Sequence, residues 1–200
     1  KCWPGDAAPL ITWPLVVTQS PDGGPYNVGV YRMQYLDSKR AIMRWLKHRG
    51  GATHQRQWEA QGKAMPVAIA IGCDPATIIA GVTPVPENVG EYHFAGVLRK
   101  KAIELVECKT VPLKVPATAE IVIEGEIRHD DVAMEGPFGD HTGYYNAAEP
   151  FPVFHVKAIP HSKAPLYLTT ITGRPPKEDA VISTVLNRLY LTYLIVHFLE

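Results

Sequence analysis

The sequence predicts a mainly β, α+β domain, a barrel or sandwich of short strands with helices at its rim. Three observations carry this. Apolar runs rich in β-branched residues recur along the chain. Its 18 prolines and 16 glycines break it into short pieces. Helical patterning is confined to four stretches.

In chain order, Ile11–Thr18, Asn27–Tyr35 and Ala41–Leu46 read as the first strands, each an apolar run closed by turn residues. Arg44–Gly51 carries the third of these into a glycine turn lined with cations. Thr53–Gln61 reads as a short helix capped by Thr53, and Val67–Ile71 as the next strand. Asp74–Ala80 has an Asp at the N-cap and Pro75 at the first helical position, so it starts a second helix. Tyr92–Lys101 is the third helix, and Arg99-Lys100-Lys101 its solvated basic end. Ile103–Cys108, Glu120–Ile127, Phe154–Ile159 and Leu166–Thr172 are strands, and Glu178–Tyr190 is the last helix. No internal repeat or low-complexity linker interrupts them. Residues 1–189 therefore read as one domain and 190–200 as the end of a C-terminal helix, with Leu199-Glu200 resembling a cloning remnant. The opening at Lys1, without Met, reads as an excised piece.

Composition narrows the function. Lys plus Arg and Asp plus Glu balance at 20 each, which argues against an electrostatic nucleic-acid binder. No apolar run reaches the ~18 residues of a membrane span, and no signal-peptide pattern opens the chain. Cys2, Cys73 and Cys108 are an odd, scattered set, neither a disulfide framework nor a zinc knuckle. Cys73 and Cys108 read as buried free thiols, which fits a reducing, cytoplasmic compartment. No GxGxxG or GxxxxGK[ST] occurs, which removes the usual nucleotide-binding readings.

The most informative stretch is Glu135-Gly136-Pro137-Phe138-Gly139-Asp140-His141-Thr142-Gly143-Tyr144-Tyr145-Asn146. It sets two carboxylates five residues apart around a Gly-Pro-aromatic-Gly turn. Such a non-periodic path can bring both acids to one pocket rim, where one stays ionised while the other donates a proton. A polar surface turn closed by Asp140 is the alternative. Three further segments stand out: Tyr26–Gln34, an apolar strand carrying Asn27 and Arg32; Arg44–Gly51; and Gly81–Tyr92.

These four segments, in this order, resemble the UbiD family of decarboxylases, and most closely its 4-hydroxy-3-polyprenylbenzoate branch. The resemblance runs from about Cys2 to about Leu189. It implies a split β-barrel of the flavin-binding type with peripheral helices, the central domain of a longer chain. It implies prenylated FMN as cofactor, supplied by a flavin prenyltransferase, with Mn²⁺ or Mg²⁺ clamping its phosphate and K⁺ as a further candidate cation. The family's metal ligands map onto Asn27, His48 and Glu91, hard oxygen and imidazole donors suited to a six-coordinate ion. Each has a plain alternative: Asn27 shapes a strand start, His48 a turn, and Glu91 a helix N-terminus; His54 is a nearby competitor for His48. Flavin contacts map onto Val30, Tyr31, Arg32, Arg44, Trp45, Leu46, Arg49, Gly50, Thr83 and Pro84. Arg44 and Arg49 offer forked donors for phosphate, and Trp45 is as readily a core aromatic.

The family's catalytic trio maps onto Arg32, Glu135 and Asp140. Arg32 would hold the substrate carboxylate, Glu135 would orient Arg32, and Asp140 would protonate the carbon after CO₂ leaves. That last role needs burial to lift the Asp140 pKa above its usual ~3.9. The trio is expected to serve turnover and not folding. The implied reaction is non-oxidative decarboxylation of 4-hydroxy-3-polyprenylbenzoate to 2-polyprenylphenol in ubiquinone biosynthesis. A lipid-like substrate allows peripheral contact with the inner membrane, and the full-length protein is expected to be a homo-oligomer. Two readings stay open beside it: a relative acting on another aromatic or α,β-unsaturated acid, and a non-catalytic flavin-binding or assembly module.

Overall fold

The computed structural model describes residues 3–85 and 89–198, with side chains through Arg188. Cys2 and Leu199-Glu200 lie outside the described residues. Ten strands and four helices follow in order: β1 Leu10–Ile11, β2 Leu15–Thr18, β3 Asn27–Val30, β4 Met33–Asp37, β5 Arg40–Met43, α1 Gly50–Ala60, β6 Met65–Ile71, α2 Pro75–Val82, α3 Glu91–Arg99, β7 Leu105–Glu107, β8 Lys114–Pro116, β9 Ile121–Glu135, β10 Glu149–Ala158 and α4 Glu178–Phe198. Eight strands form one antiparallel sheet in the order β1-β4-β5-β10-β9-β6-β2-β3, and β7 pairs with β8.

The sheet has to curl. β3 is its edge, β4 lies next to the opposite edge, and only Tyr31 and Arg32 join them. Three Cα steps reach about 10 Å, whereas six strand spacings across a flat sheet span about 29 Å. The curl brings the two sides together at Tyr31-Arg32, which is the seam of the predicted split barrel.

The period of two along a strand then sorts side chains to the two faces. Leu15 and Val17 of β2 join Ala68 and Ala70 of β6 in one core with Ile78 of α2 and Tyr92 of α3. Val16 joins Val67, Ile69 and Ile71 in the other, with Met33, Met43, Ile127 and Phe154. β2 and β6 are buried throughout because both their faces are covered.

Several elements depart from expectation. The predicted strand Asn27–Tyr35 is cut in two by the seam. Gly50-Gly51 is the first turn of α1 and not a loop, so the N-cap is Arg49 and not Thr53, and no side chain caps it. Both glycines are required by close approach: a Cβ on Gly50 would run into Oδ1 of Asn27, and one on Gly51 into the Trp45 ring. Leu166–Thr172 is not a strand; it is tied by the Thr12 hydroxyl, which accepts from Thr170 N at 3.1 Å and donates to its carbonyl at 3.0 Å. Its neighbour β1 has two residues and offers no ladder to extend. β9 runs eight residues past Ile127 through polar sequence, because its far half is a partly exposed ribbon with β10. α2 is as predicted, with Asp74 Oδ1 accepting from Ala76 N and Thr77 N. Cys73 is buried but Cys108 only half-buried; burial pushes both thiols up to about 12.

Candidate active site

A cavity of about 850 Å³ opens at the seam. Arg32 stands on its wall because the seam residue leaves the sheet ladder there, and Arg44 N donates to its carbonyl at 3.1 Å. β9 ends on Glu135, whose side chain is fully buried. Arg32 Nε and Nη2 donate to the two carboxylate oxygens at 2.8 and 3.1 Å, a forked pair. The Phe138 ring lies 5.2 Å from the guanidinium carbon, and Asn146 Oδ1 accepts from Nη2 at 3.1 Å. Arg44 Nε lies 3.4 Å from Glu135 Oε2, an ion-pair contact without hydrogen-bond geometry. Its guanidinium stacks on Phe151 at 5.4 Å. Two guanidiniums on one buried carboxylate leave a surplus positive charge at this end of the cavity. Arg44 therefore sits with Arg32 and Glu135.

The backbone then turns sharply. Gly136 adopts φ +87, a conformation open to glycine, and Gln34 Oε1 accepts from its N–H at 2.8 Å. The strap Trp3–Ala7 holds the far side of the turn. Asp6 Oδ1 accepts from Gly139 N at 2.9 Å, and Ala7 N donates to the Pro137 carbonyl at 3.0 Å. Asp140 thus reaches the cavity wall with a side chain about 25% exposed. Burial pushes its pKa up, but hydrogen bonds from His141 N and the His141 ring, with the charges of His141 and Arg32, outweigh it. The net shift is downward. In this chain Asp140 is an ionised carboxylate at neutral pH, against the expectation of a raised pKa.

Asn27, His48 and Glu91 all line the same cavity, as do Val30, Tyr31, Leu46, Arg49, Gly50, Thr83 and Pro84. Trp45 does not. It is 4% exposed in the core, edge-on to Tyr31, with its N–H on Gln55. Glu135 also lies behind the wall, under Arg32. Asn27 is oriented by its amide: Nδ2 donates to the Thr18 hydroxyl at 3.2 Å, which turns Oδ1 toward Gly50 and the Tyr31 hydroxyl. Thr18 Oγ1 also meets His54 Nδ1 at 2.9 Å, so His54, which lines the cavity as well, is linked to Asn27 through Thr18, and burial lowers its pKa.

This donor set fits a hard divalent cation. Burial raises the Glu91 pKa more than its hydrogen bond from Val28 N lowers it, and no cation pairs with it among the described residues. A metal would supply that partner. No cluster of three His, Cys, Asp or Glu able to hold a metal occurs among the described residues. Arg49 and the first turn of α1 beside it suit an anion such as a phosphate.

Sequence reasoning missed four supports: Thr18, Gln34, His141 and Asn146. Each acts through contacts with residues distant in sequence or through a ring it turns onto its neighbour, and spacing carries no trace of either.

A sequence profile of the 3-octaprenyl-4-hydroxybenzoate carboxy-lyase Rift-related domain of the UbiD family matches residues 1–175. Three solved structures are similar. An evolved dimeric form of the UbiD-class enzyme HmfF from Pelotomaculum thermopropionicum, in complex with prFMN, is 34% identical with a TM-score of 0.89, covering 96% of this chain and 44% of that one. The closed form of the vanillic acid decarboxylase of Sedimentibacter hydroxybenzoicus is 31% identical with a TM-score of 0.87, covering 91% and 40%. The apo 3,4-dihydroxybenzoic acid decarboxylase of Klebsiella pneumoniae is 29% identical with a TM-score of 0.76, covering 83% and 36%. This chain spans less than half the length of each.

Proposed function

The chain belongs to the UbiD family, and from that premise we propose that its protein removes CO₂ from an aromatic carboxylic acid with the help of prenylated FMN. The observation that carries this is Arg32, forked onto the buried Glu135, beside Asp140 on one cavity wall. Glu135 and Asn146 take three of the five guanidinium N–H groups, and the pair on Nη1 remains for a carboxylate. Arg32 so held fixes the acid in one orientation, which is positional catalysis. Glu135 keeps Arg32 from swinging away, and Arg44 adds positive charge that draws the anion in. Asp140 delivers the proton to the ring carbon once CO₂ has left, and must take one up first.

Asn27, His48 and Glu91 would hold Mn²⁺ or Mg²⁺ against the flavin phosphate, with Arg49 and Gly50 beside it. The prenylated flavin, when bound, supplies the electron sink for the departing carboxylate's electron pair. Of acids, we favour 4-hydroxy-3-polyprenylbenzoate; the match to the 3-octaprenyl-4-hydroxybenzoate carboxy-lyase domain and the Asp140-His141-Thr142-Gly143 sequence support it. A tail-less hydroxybenzoate is the second reading, favoured by the vanillic and 3,4-dihydroxybenzoic acid decarboxylases among the similar structures. A reducing compartment, supported by the free thiols, and a homo-oligomer complete the proposal. Among the described residues no helix is long and apolar enough to cross a membrane.

The test is substrate profiling of the full-length protein, co-expressed with a flavin prenyltransferase and supplied with Mn²⁺. Release of CO₂ from prenylated 4-hydroxybenzoate above that from vanillate and 3,4-dihydroxybenzoate is expected. The reverse order selects the second reading, and no release from any aromatic acid overturns both.

A further inference from the structure

Asn146 is the last residue of the acid-bearing motif and has no charge to offer a substrate. Its side chain is half-buried and its amide oxygen is fully used. Oδ1 accepts two hydrogen bonds, from Arg32 Nη2 at 3.1 Å and from Phe138 N at 3.0 Å. Those use both lone pairs of the amide oxygen. Nδ2 donates to the Ala147 carbonyl at 2.7 Å, which fixes which way the amide faces. Its backbone N–H donates to the Phe138 carbonyl at 3.1 Å. Phe138 and Asn146 therefore bind each other reciprocally and close the loop that holds Asp140, beside the Gly139–Tyr145 bridge.

Two parts of the chain are joined at this oxygen. One is the seam residue Arg32, 114 positions away in sequence. The other is the turn between Glu135 and Asp140. Glu135 alone leaves the guanidinium free to pivot about the fork axis. A third acceptor on Nη2, off that axis, removes the pivot and sets where Nη1 points.

We infer that Asn146 is a positioning residue for Arg32, locking the carboxylate-holding guanidinium to the Asp140 loop; this rests on the decarboxylase reading above. Its oxygen aims the Nη1 donors at the substrate carboxylate and holds the proton-carrying loop at a fixed distance from them. A residue that merely stapled the loop would move stability and leave the preference for a carboxylate intact.

The experiment uses the full-length protein and two variants. Asn146→Ala removes the acceptor. Asn146→Asp keeps an acceptor for Arg32 and Phe138 and guards against a loop that fails to form in the first variant. Crystal structures are the first readout. Arg32 should move or split into two positions in Asn146→Ala, with Glu135 in place, and stay put in Asn146→Asp. An unmoved Arg32 in Asn146→Ala, or a displaced one in Asn146→Asp, overturns the inference whatever the substrate proves to be. Binding of 4-hydroxybenzoate against 4-hydroxybenzamide, by calorimetry, is the second. Asn146→Ala should weaken the acid about tenfold, as expected for one hydrogen bond to a charged group, and leave the amide unchanged. Asn146→Asp should also weaken the acid, because its new carboxylate competes for the guanidinium. Equal loss for acid and amide shows a structural staple and overturns the inference. A parent protein that does not prefer the acid to the amide refutes the aromatic-acid reading instead, and the crystallographic result then decides the role of Asn146.

Discussion

Asp140 sits between His141 and the seam, and these neighbours hold its carboxyl below the ordinary carboxylate range. Because the folded-state pKa is lowered, the ionised form favours folding. That contribution is complete above the unfolded value of about 3.9 and is lost as pH falls through the lower folded value. Asp140→Asn should therefore melt below the parent at pH 7, and the two should converge toward pH 2 in a series of thermal melts. A gap that widens on acidification would show that the carboxyl is not ionised in the fold. In the full-length protein the proposed proton-donor role predicts that the same substitution loses about 10²–10⁴ in kcat, read from steady-state CO₂ release. Arg32 has a different failing when altered: the carboxylate-holding role proposed for it predicts that Arg32→Ala raises KM as well.

The ends of elements carry the site, and they set its stability. β9 carries Glu135 into a place with no exposure at all, facing two arginines. Removing one partner of a buried pair costs about 3–5 kcal/mol. Arg32 and Arg44 keep 14% and 22% of their side-chain surface, so the lower end of that range applies to Glu135→Ala. Urea unfolding should show a loss of about 3 kcal/mol, a part in folding beside the one expected in turnover. α1 makes a second prediction. Gly50→Ala would press on Oδ1 of Asn27, so metal and flavin content after purification should fall while the far-ultraviolet dichroism stays that of the parent. These ends were only partly legible in the sequence. The apolar runs gave β2 and β6, and Asp74-Pro75 gave the start of α2, because burial and capping leave local traces. The four site segments were legible as motifs. Gly50-Gly51 read as a break, since composition does not reveal that a glycine is there to let Asn27 and Trp45 come close. Arg44, Trp45 and Leu46 read as one flavin-facing group, yet side chains alternate along extended backbone, and Trp45 turns into the core. The polar half of β9 and the unpaired Leu166–Thr172 were decided by which neighbour was available, a long-range fact.

At the scale of the whole molecule, the cavity has its reacting groups on one curled sheet, and Asp140 is partly in water. Burial of this quarter-exposed carboxyl is outweighed by the hydrogen bonds from His141 and the charges of His141 and Arg32, which keep it ionised. Proton delivery at neutral pH needs the opposite, a drier setting that raises its pKa. The similar structures are more than twice as long as the stretch they share with this chain, so the remainder of such a protein is the natural source of that drier wall. We therefore expect these 200 residues, expressed alone, to fold and to turn over poorly. Water in the cavity weakens the Arg32–carboxylate contact and keeps Asp140 deprotonated. The comparison is between this chain and its longer parent, reconstituted identically with prenylated FMN and Mn²⁺. Turnover per bound flavin should fall by at least about 10², the low end of what a general acid contributes. Its pH optimum should shift to lower pH, because only acid restores the proton to a low-pKa Asp140. Equal turnover per flavin with an unchanged optimum would mean that the barrel alone creates the environment Asp140 needs, and that the downward shift read from its neighbours is reversed once flavin fills the cavity.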